Sequence, residues 1–397
     1  METKDIKGLA TKYLTRNYSR QPIVLVKGRR SSVWDAEGKK YLDFVSGIAV
    51  MNLGHNFSPV NKAIQKQMST LAHVSNLYYT EPQVEYAQAL VDKMHKGKLF
   101  FCNSGAEATE AALKLARRHS IETTEDKART EIIAFKGSFH GRTMGALSLT
   151  GQDGIKKEGF GPMLSGVKFV TYGDIDAVEK AITKKTCAVI IEPIQGEGGV
   201  NVPKHSFMQG LAKLCTANKL QLIFDEVQTG FGRTGKLFAF EHFRVKPGIV
   251  IMAKGIANGY PMGVMFAKDD VAKSFVPGTH ASTFGGSPPA CAGALAALEE
   301  ITKPELLENV RNMGRYMLLK LTGMKRSVPT LKQVRGIGLM IGVELGIPGE
   351  KIVKECANTG LLLSCANEKV IRFLPPLNVT KQEVDKALNI FGKVLGV

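Results

Sequence analysis

The sequence predicts an α/β fold with a large, mainly parallel sheet domain and a smaller α+β domain. Between residues 98 and 260, short apolar runs alternate with stretches of helical periodicity, a pattern typical of a parallel sheet wrapped by helices. Two of these runs, at 220–224 and 249–253, are almost entirely apolar, as in strands that are buried on both faces. After residue 301 the alternation continues in a shorter segment, which predicts the smaller domain.

The elements divide the chain into three expected parts. Residues 1–60 form an extended N-terminal segment with a small antiparallel meander that joins the small domain, 61–300 form the large domain, and 301–397 form the C-terminal small domain. Further strands are predicted at 99–102, 132–135, 167–170, 187–191, 220–224, 249–253, near 337–345 and at 370–373. Helices are predicted at 59–72, 82–94, from 105 onward, and at 175–182, 289–301 and 305–321.

The composition is that of an ordinary globular protein, with 44% hydrophobic and 22% charged residues in a chain of 397. The first seven residues are rich in charge and lead into no signal-peptide core, and no apolar run approaches about 18 residues. We therefore expect a cytoplasmic protein without a membrane segment.

The cysteines, histidines and charges restrict the class of ligand. Six cysteines are scattered without a C-x-x-C pair, and eight histidines show no metal-binding spacing, so we expect free thiols and no metal. The formal net charge is +17, but the lysines and arginines are spread along the whole chain and form no tail or stripe. This distribution fits anionic small substrates, and we expect no nucleic-acid partner.

Two charged residues, Asp225 and Lys254, follow the buried runs at 220–224 and 249–253. Parallel sheets bind ligands at the carboxyl ends of their strands, so both side chains are expected at a ligand site. A lysine that can form a Schiff base, with a carboxylate that can keep a pyridine nitrogen protonated, is typical of a pyridoxal phosphate site. On these two residues alone, an ordinary ion pair between strand ends is the alternative.

A loop of small residues at Ser104, Gly105 and Ala106 joins a predicted strand to a helix. Free backbone N–H groups at the helix N-terminus, together with the Ser104 hydroxyl, can bind a phosphate. Helix capping by Asn103 or Ser104 accounts for the same residues equally well.

The loop after the next predicted strand contains Phe139, His140 and Arg142. Phe139 suits stacking on a flat cofactor, and Arg142 suits binding of a carboxylate. A histidine in this position is more typical of a hydrogen-bonded structural residue than of a catalyst.

A glycine-rich segment at 230–236 satisfies G-x-G-x-x-G and nearly satisfies the P-loop pattern, so a nucleotide-binding protein is the rival hypothesis. Leu237 occupies the position of the Ser or Thr that would hold magnesium, and Pro247 limits any helix that follows. A second segment, 336–342, misses the dinucleotide spacing and fits a glycine-punctuated strand. Nucleotide binding is therefore the weaker hypothesis.

Seven motifs, in their order along the chain, resemble the class III (ornithine-type) aminotransferases of the fold type I pyridoxal phosphate enzymes. They lie at residues 103–108, 139–143, 192–198, 225–230, 253–255, 282–286 and 372–376. The resemblance runs from about residue 34 to 376 and is greatest to family members that act on N-acetylornithine. It implies a fold type I transferase with pyridoxal 5'-phosphate as cofactor.

The resemblance implies that Lys254 carries the cofactor and that Asp225 pairs with its ring nitrogen. The other cofactor-binding residues that it implies are Phe139 and Val227 against the ring, Gln228 near its phenolic oxygen, Ser104, Gly105 and Ala106 at the phosphate, and Thr283 from a second copy of the chain. A homodimer with shared active sites follows from the last of these.

The resemblance also implies two small-molecule substrates, an amino donor and 2-oxoglutarate. Arg142 would bind the distant carboxylate of either, and Arg372 the α-carboxylate of 2-oxoglutarate. Glu197 would pair with Arg372 while the amino donor is bound, and Ser282 belongs to the substrate site. Lys254 would move a proton from the substrate carbon while the protonated ring takes up the electrons.

The identity of the amino donor is predicted from Ile48. Family members that act on ornithine carry at this position a tyrosine that contacts the free α-amino group, whereas isoleucine suits an acylated amine. The expected reaction therefore moves the terminal amino group of N-acetylornithine to 2-oxoglutarate, giving N-acetylglutamate semialdehyde and glutamate in arginine biosynthesis. Ornithine, succinylated intermediates and 4-aminobutyrate are the alternatives, and Gly255 after Lys254, where the family commonly has alanine, leaves the subclass open.

Overall fold

Strands and helices alternate along most of the chain in the computed structural model, which describes residues 2–152 and 154–397. The strands are β1 Leu25–Arg29, β2 Ser32–Asp35, β3 Lys40–Asp43, β4 Gly97–Cys102, β5 Glu131–Phe135, β6 Val167–Val170, β7 Thr186–Ile191, β8 Gln221–Asp225, β9 Ile249–Met252, β10 Gly263–Lys268, β11 Leu331–Ile337, β12 Met340–Leu345, β13 Leu361–Leu362, β14 Ser364–Ala366 and β15 Val370–Phe373. The helices are α1 Thr3–Tyr13, α2 Ser46–Ala49, α3 Ser58–Thr70, α4 Glu81–Val91, α5 Gly105–Thr124, α6 Met144–Leu149, α7 Ile175–Ala181, α8 His205–Ala217, α9 Phe240–Phe243, α10 Asp269–Ala272, α11 Pro288–Ile301, α12 Pro304–Met324, α13 Glu350–Asn358 and α14 Lys381–Leu395. Short 3-10 turns lie at Gly154–Lys156 and Lys254–Ala257.

The large sheet has seven strands in the order β4-β10-β9-β8-β7-β5-β6. All of them run in one direction except β10, which is antiparallel to both β4 and β9. The α/β fold with a mainly parallel sheet is therefore confirmed. Strand β10 was not predicted from the sequence. The carboxyl ends of the six parallel strands lie at one edge, where β8 and β9 are neighbours.

The large sheet is stable because apolar side chains cover it on both sides. Every residue of β7 and β9 is buried, as expected for central parallel strands. Helix α5 packs one face on the sheet through Ala108, Ala111, Ala112 and Leu115, which are all buried. Each buried leucine or isoleucine contributes about 1.5–3 kcal/mol relative to an exposed one, so the sheet is a firm base for the loops at its edge.

Two smaller sheets of four strands complete the fold. One has the order β1-β2-β3-β13, so a strand near the C-terminus pairs in parallel with the N-terminal meander. The other has the order β11-β12-β15-β14. Residues 336–342 are not one glycine-punctuated strand, because the chain turns at Gly338, with φ of +58°, and forms the β11–β12 hairpin. The division at residues 60 and 300 stays a prediction.

The N-terminal segment begins with a helix and not with extended chain. Helix α1 places Ile6, Leu9, Ala10 and Tyr13 at helical spacing, a pattern that the expectation of an extended segment overlooked. None of its residues is buried.

Of the residues described, no helix has the length and apolar character needed to cross a membrane. Among the same residues, no group of three or more His, Cys, Asp or Glu side chains is placed to hold a metal ion.

Candidate active site

A cavity of about 390 Å³ lies at the carboxyl edge of the large sheet. Its walls come mainly from the loops after β4, β5, β8 and β9 and from residues 259–262 before β10. Nine residues predicted from the sequence line it: Ser104, Gly105, Ala106, Phe139, Arg142, Asp225, Val227, Gln228 and Lys254. The structure thus brings residues from four separate motifs into one space.

Lys254 lies two residues after β9, in the left-handed region with φ of +49°. Its pKa is lowered, because burial penalises the ammonium form and the positive charge of Arg372 acts in the same direction. The carboxylates of Glu197, Asp225 and Glu192 oppose this shift without cancelling it. A larger share of Lys254 is therefore the neutral amine, which is the form that attacks a carbonyl or accepts a proton.

Asp225 ends β8 and is held by two hydrogen bonds. Nδ1 of His140 lies 2.7 Å from its Oδ2, and the N–H of Val227 donates to its Oδ1 at 3.0 Å. Both the aspartate and the histidine are buried. Because a carboxylate only accepts, Nδ1 of His140 carries the proton in this contact. The structural role expected for His140 thus takes the form of fixing the orientation of Asp225.

Glu192 is a site residue to which the sequence analysis gave no role. It follows β7 directly, and its carboxylate accepts from the N–H groups of Phe139 at 3.2 Å and Gly196 at 3.3 Å. Burial and the nearby charge of Asp225 raise the pKa of Glu192 well above its usual value. The rule that identified Asp225 and Lys254, a charged residue after a buried run, would also have found Glu192.

The N-terminus of α5 faces the cavity through three small residues. Ser104 caps the helix, since its hydroxyl accepts from the N–H of Glu107 at 3.2 Å. The N–H groups of Gly105 and Ala106 belong to the first turn and have no acceptor within the helix. A Cβ on Gly105 would lie only 3.0 Å from a methyl group of Val227. Capping is therefore observed, and the backbone still offers donors to an anion in the cavity.

Phe139 and Arg142 lie together in the loop after β5. The guanidinium carbon of Arg142 lies 5.5 Å from the centroid of the Phe139 ring. Arg142 is exposed and lines the cavity, so it is open to a carboxylate that arrives from solvent.

Arg372 and Glu197 lie next to the cavity, behind Gln228. Nη1 of Arg372 is 2.6 Å from Oε1 of Glu197 and donates to Oε1 of Gln228 at 3.1 Å. Nε2 of Gln228 donates to Glu197 at 3.4 Å. Burial alone would raise the pKa of Glu197, but the positive charges of Arg372 and Lys254 outweigh it and the pKa is lowered. The pair is therefore charged, and Gln228 connects it to the cavity.

Besides Arg372 and Glu197, three further predicted residues do not line the cavity: Ile48, Ser282 and Thr283. Ile48 is 39% exposed and belongs to α2, where residues 46–49 all have positive φ, so the backbone turns left-handed there. Ser282 accepts from Nδ2 of Asn103 at 3.3 Å. Thr283 is exposed on the same loop.

The segment at 230–236 is packed against the C-terminal part of the chain. A Cβ on Gly232 would lie 2.8 Å from a methyl group of Leu377, and one on Gly230 would lie 2.8 Å from the carbonyl of Glu226. A series of turns, and no helix directly at its end, follows β8. The two glycines are therefore packed closely against Glu226 and Leu377, and the geometry does not support the P-loop hypothesis.

The model of one protein family, described as Aminotransferase class-III, matches residues 13–395. The chain belongs to this family. The resemblance predicted from the seven motifs is thereby confirmed. A curated relative, the acetylornithine aminotransferase of Caldanaerobacter subterraneus, is 48% identical over 385 residues, which are 97% of this chain and 97% of the relative.

Solved structures agree with this class III aminotransferase over nearly their whole length. The ornithine aminotransferase of Toxoplasma gondii, with PLP at partial occupancy in its active site, aligns with a TM-score of 0.95 and 32% identity, covering 99% of this chain and 94% of that one. The acetylornithine aminotransferase of Elizabethkingia anophelis aligns with a TM-score of 0.89 and 32% identity, covering 100% and 99%. The fold type I assignment is confirmed.

Class III aminotransferases use pyridoxal phosphate, and the cavity of this aminotransferase has the chemistry to hold it. The first-turn N–H groups of α5 suit the phosphate, and the buried amine of Lys254 suits the aldehyde. The Asp225 carboxylate suits a protonated ring nitrogen, and Phe139 offers an aromatic face. These four groups lie in one cavity, so the residues fit the cofactor.

Proposed function

We propose that this aminotransferase moves the terminal amino group of N-acetylornithine to 2-oxoglutarate, giving N-acetylglutamate semialdehyde and glutamate, in arginine biosynthesis. One observation carries the proposal. The curated relatives at 42–48% identity are named acetylornithine aminotransferase, and the first of them aligns over 97% of each chain.

Ornithine is the second candidate donor, because solved ornithine aminotransferases align with TM-scores of up to 0.95. Their 31–32% identity is lower than the 42–48% identity of the curated acetylornithine relatives. Ile48 lies two residues before Val50, which lines the cavity. Its apolar side chain favours the acylated donor, since a free α-ammonium beside it would lose solvation without gaining a partner.

The proposed cofactor-binding residues each match one part of pyridoxal phosphate. Bound cofactor supplies an aldehyde that links to an amine and a ring that takes up electrons from the substrate carbon. Lys254 would hold the aldehyde and Asp225 a proton on the ring nitrogen. The remaining residues of the proposed set are Ser104, Gly105 and Ala106 at the phosphate, Phe139 and Val227 against the ring, and Gln228 near the phenolic oxygen.

Proton movement is assigned to Lys254. Its pKa is lowered by burial, so the amine released when substrate binds is ready to accept a proton from the substrate carbon. Asp225 stays oriented for its own role because His140 and the Val227 N–H hold its two oxygens. The walls of the cavity are largely apolar, which strengthens these charge interactions.

Two arginines divide the binding of carboxylates in this proposal. Arg142, exposed at the cavity, binds the carboxylate far from the reacting carbon. Arg372 binds the α-carboxylate of glutamate or 2-oxoglutarate. While N-acetylornithine occupies the site, Glu197 neutralises the charge of Arg372. The observed ion pair, with 2.6 Å between the two side chains, corresponds to this neutralised arrangement.

A homodimer with shared active sites is part of the proposal. Leu77 and Tyr79 are 84% and 97% exposed, and Phe284 is exposed beside Thr283. The two loops form one surface, because Nδ2 of Asn76 donates to the carbonyls of Ser282 at 3.1 Å and Gly285 at 2.9 Å. Large apolar side chains grouped in this way are typical of a protein interface, here with a second copy that would receive Thr283 at its phosphate.

A panel of amino donors with 2-oxoglutarate tests the reaction. We expect kcat/KM for N-acetylornithine to exceed that for ornithine, N-succinylornithine and 4-aminobutyrate, and a higher value for ornithine would contradict the proposal. Sedimentation velocity tests the dimer. Leu77→Asp should produce monomers of low activity, whereas Leu319→Asp, at a site 72% exposed on α12, should not.

A further inference from the structure

The loop that resembles a nucleotide-binding motif contains Arg233, a completely buried arginine that the proposed reaction does not use. Among the described residues it forms no ion pair, and its Nε has no hydrogen-bond partner. Burial lowers the pKa of Arg233 to about 9. Burying a cation without a carboxylate partner costs free energy. The hydrogen bonds of Arg233 must therefore have a role that an apolar side chain could not fill.

The two terminal nitrogens of Arg233 bind three separate chain segments. Nη1 donates to the carbonyl of Leu339 at 3.1 Å and to the carbonyl of Pro375. Nη2 donates to Oδ1 of Asn52 at 2.6 Å. A planar guanidinium has several donors in fixed directions and can bond all three at once, which the single ammonium of lysine cannot do with the same geometry.

The contacts with Leu339 and Pro375 fix the end of the strand pair that carries Arg372. In the β12–β15 ladder Gly342 faces Arg372, and the same register places Leu339 opposite Pro375. Proline has no N–H with which to continue the ladder. Nη1 of Arg233 bonds to both carbonyls in its place, so a side chain from the loop after β8 holds this strand end.

The contact with Asn52 leads to Lys254. Nδ2 of Asn52 donates to the carbonyl of Phe231 at 2.9 Å, and the carbonyl of Asn52 accepts from the N–H of Leu377 at 2.7 Å. The Asn52 amide also lies directly against Gly255, where a Cβ would be only 2.3 Å from Nδ2. Since Gly255 follows Lys254, one continuous set of contacts joins the Arg372 strand to the backbone of the reactive lysine.

We propose that Arg233 is a positioning residue that sets the distance between Arg372 and Lys254. The inference rests on the proposed function, in which Arg372 binds the α-carboxylate of glutamate or 2-oxoglutarate. That carboxylate is bonded to the reacting carbon, so a small displacement of Arg372 relative to Lys254 misplaces the reacting atoms. N-acetylornithine reacts at the end far from its carboxylate and is bound by Arg142, so it is less sensitive to the same displacement.

The test compares Arg233→Lys and Asn52→Ala with the unchanged holoenzyme. Three quantities are measured: thermal unfolding, calorimetric binding of glutarate, which has no amino or keto group to react, and single-turnover rates of the two half-reactions. We expect Arg233→Lys to weaken glutarate binding and slow the 2-oxoglutarate half-reaction by at least about tenfold, with the N-acetylornithine half-reaction within about twofold. Asn52→Ala should shift the ratio in the same direction by less.

Arg311→Met is the matched control. Nη1 of Arg311 donates to the carbonyl of Gly235 in the same loop at 2.8 Å, without contact to Leu339, Pro375 or Asn52. We expect it to lower the melting temperature and leave the ratio of the two half-reactions unchanged. If Arg311→Met and Arg233→Lys change this ratio equally, the role of Arg233 is merely structural and the inference is overturned.

Arg372→Ala separates this inference from the proposed function. If Arg372→Ala abolishes glutarate binding while Arg233→Lys and Asn52→Ala leave it intact, the positioning role is wrong and the assignment of Arg372 stands. If Arg372→Ala itself leaves glutarate binding intact, the assignment of Arg372 fails, and the positioning role fails with it. Should Arg233→Lys not fold, an unchanged ratio in Asn52→Ala overturns the inference.

Discussion

Arg372 and Glu197 form a direct ion pair, with 2.6 Å between Nη1 and Oε1, and Gln228 contacts both side chains. Arg372 is almost fully buried and Glu197 is more accessible, so the carboxylate is the partner that can move away. When Arg372 and Glu197 are paired, their charges neutralise each other next to the cavity that must admit the methylene chain of the amino donor. Separated, Arg372 presents a two-donor fork to an incoming carboxylate.

The first prediction separates the two arginines. Arg372→Ala should spare the half-reaction with N-acetylornithine and slow the one with 2-oxoglutarate by about a hundredfold, as expected when a charge-assisted hydrogen-bonded pair is lost. Arg142→Ala should impair both half-reactions. Single-turnover absorbance traces measure each step. Equal slowing of both by Arg372→Ala would show that the arginines share one task.

The second prediction concerns Glu197. Glu197→Gln keeps the size of the side chain and removes its charge, so Arg372 is no longer neutralised when the amino donor binds. We expect the glutamate half-reaction to become faster relative to the N-acetylornithine half-reaction, by about tenfold. The ratio of the two single-turnover rates is the measurement. An unchanged ratio would exclude a gating role for Glu197.

The third prediction concerns Lys254. Lys254→Ala removes the amine and its proton transfer, so steady-state transamination should fall by at least about 10⁴-fold. The first-turn N–H groups of α5 that would hold the phosphate remain, so the variant should stay folded and retain cofactor, which equilibrium dialysis measures. Near-normal turnover in this variant would assign the chemistry to another residue.

The sequence identified much of this site because parallel strands place their carboxyl ends together. Asp225 and Lys254 could be located from the buried runs before them, and the same rule extends to Glu192 after β7. The contact between His140 and Asp225 could not be foreseen, because 85 residues separate them and no local pattern records it. The hydrogen-bond partners of Arg233 also lie far from it in the sequence, so no local pattern indicates its structural role. From the sequence alone, its loop resembled a nucleotide-binding motif.

Three errors in the fold have local causes. Residues 336–342 are apolar enough for a single strand, and only the positive φ of Gly338 reveals the hairpin. Strand β10 follows β9 without a full helix between them, and an antiparallel strand breaks the alternation of strand and helix from which the other strands were predicted. Helix α1 was missed although its apolar residues lie at helical spacing. None of its residues is buried, so it does not belong to the core that the other predicted elements form.

The fourth prediction concerns the amino donor. Ile48→Tyr should shift the ratio of kcat/KM toward ornithine by about tenfold, because one hydrogen bond to a charged group is worth about 1.5–3 kcal/mol. Tyrosine is not β-branched and therefore tolerates the positive φ at this position at least as well as isoleucine. Ile48→Leu is the control without a hydroxyl. Identical ratios in the two variants would remove Ile48 as a specificity residue.

The fifth prediction concerns Glu226, which is completely buried next to Asp225. Its carboxylate accepts from the N–H of Phe240 at 2.8 Å and from the hydroxyl of Thr229, yet burial raises its pKa from 4.5 to about 7. A carboxyl group whose pKa is raised by folding stabilises the protein below its unfolded pKa. That contribution is lost as the pH rises through the folded value.

Relative to Glu226→Gln, the unchanged protein should therefore lose up to about 3 kcal/mol of unfolding free energy between pH 4.5 and pH 8, because each pKa unit corresponds to about 1.4 kcal/mol. Denaturant unfolding of both proteins across this range is the measurement. Glu131→Gln is the control: hydrogen bonds from Lys168 and Thr183 lower the pKa of Glu131, so its contribution is lost only below pH 4.5. A difference between Glu226→Gln and the unchanged protein that stays constant from pH 4.5 to 8 would mean that Glu226 does not titrate in this range.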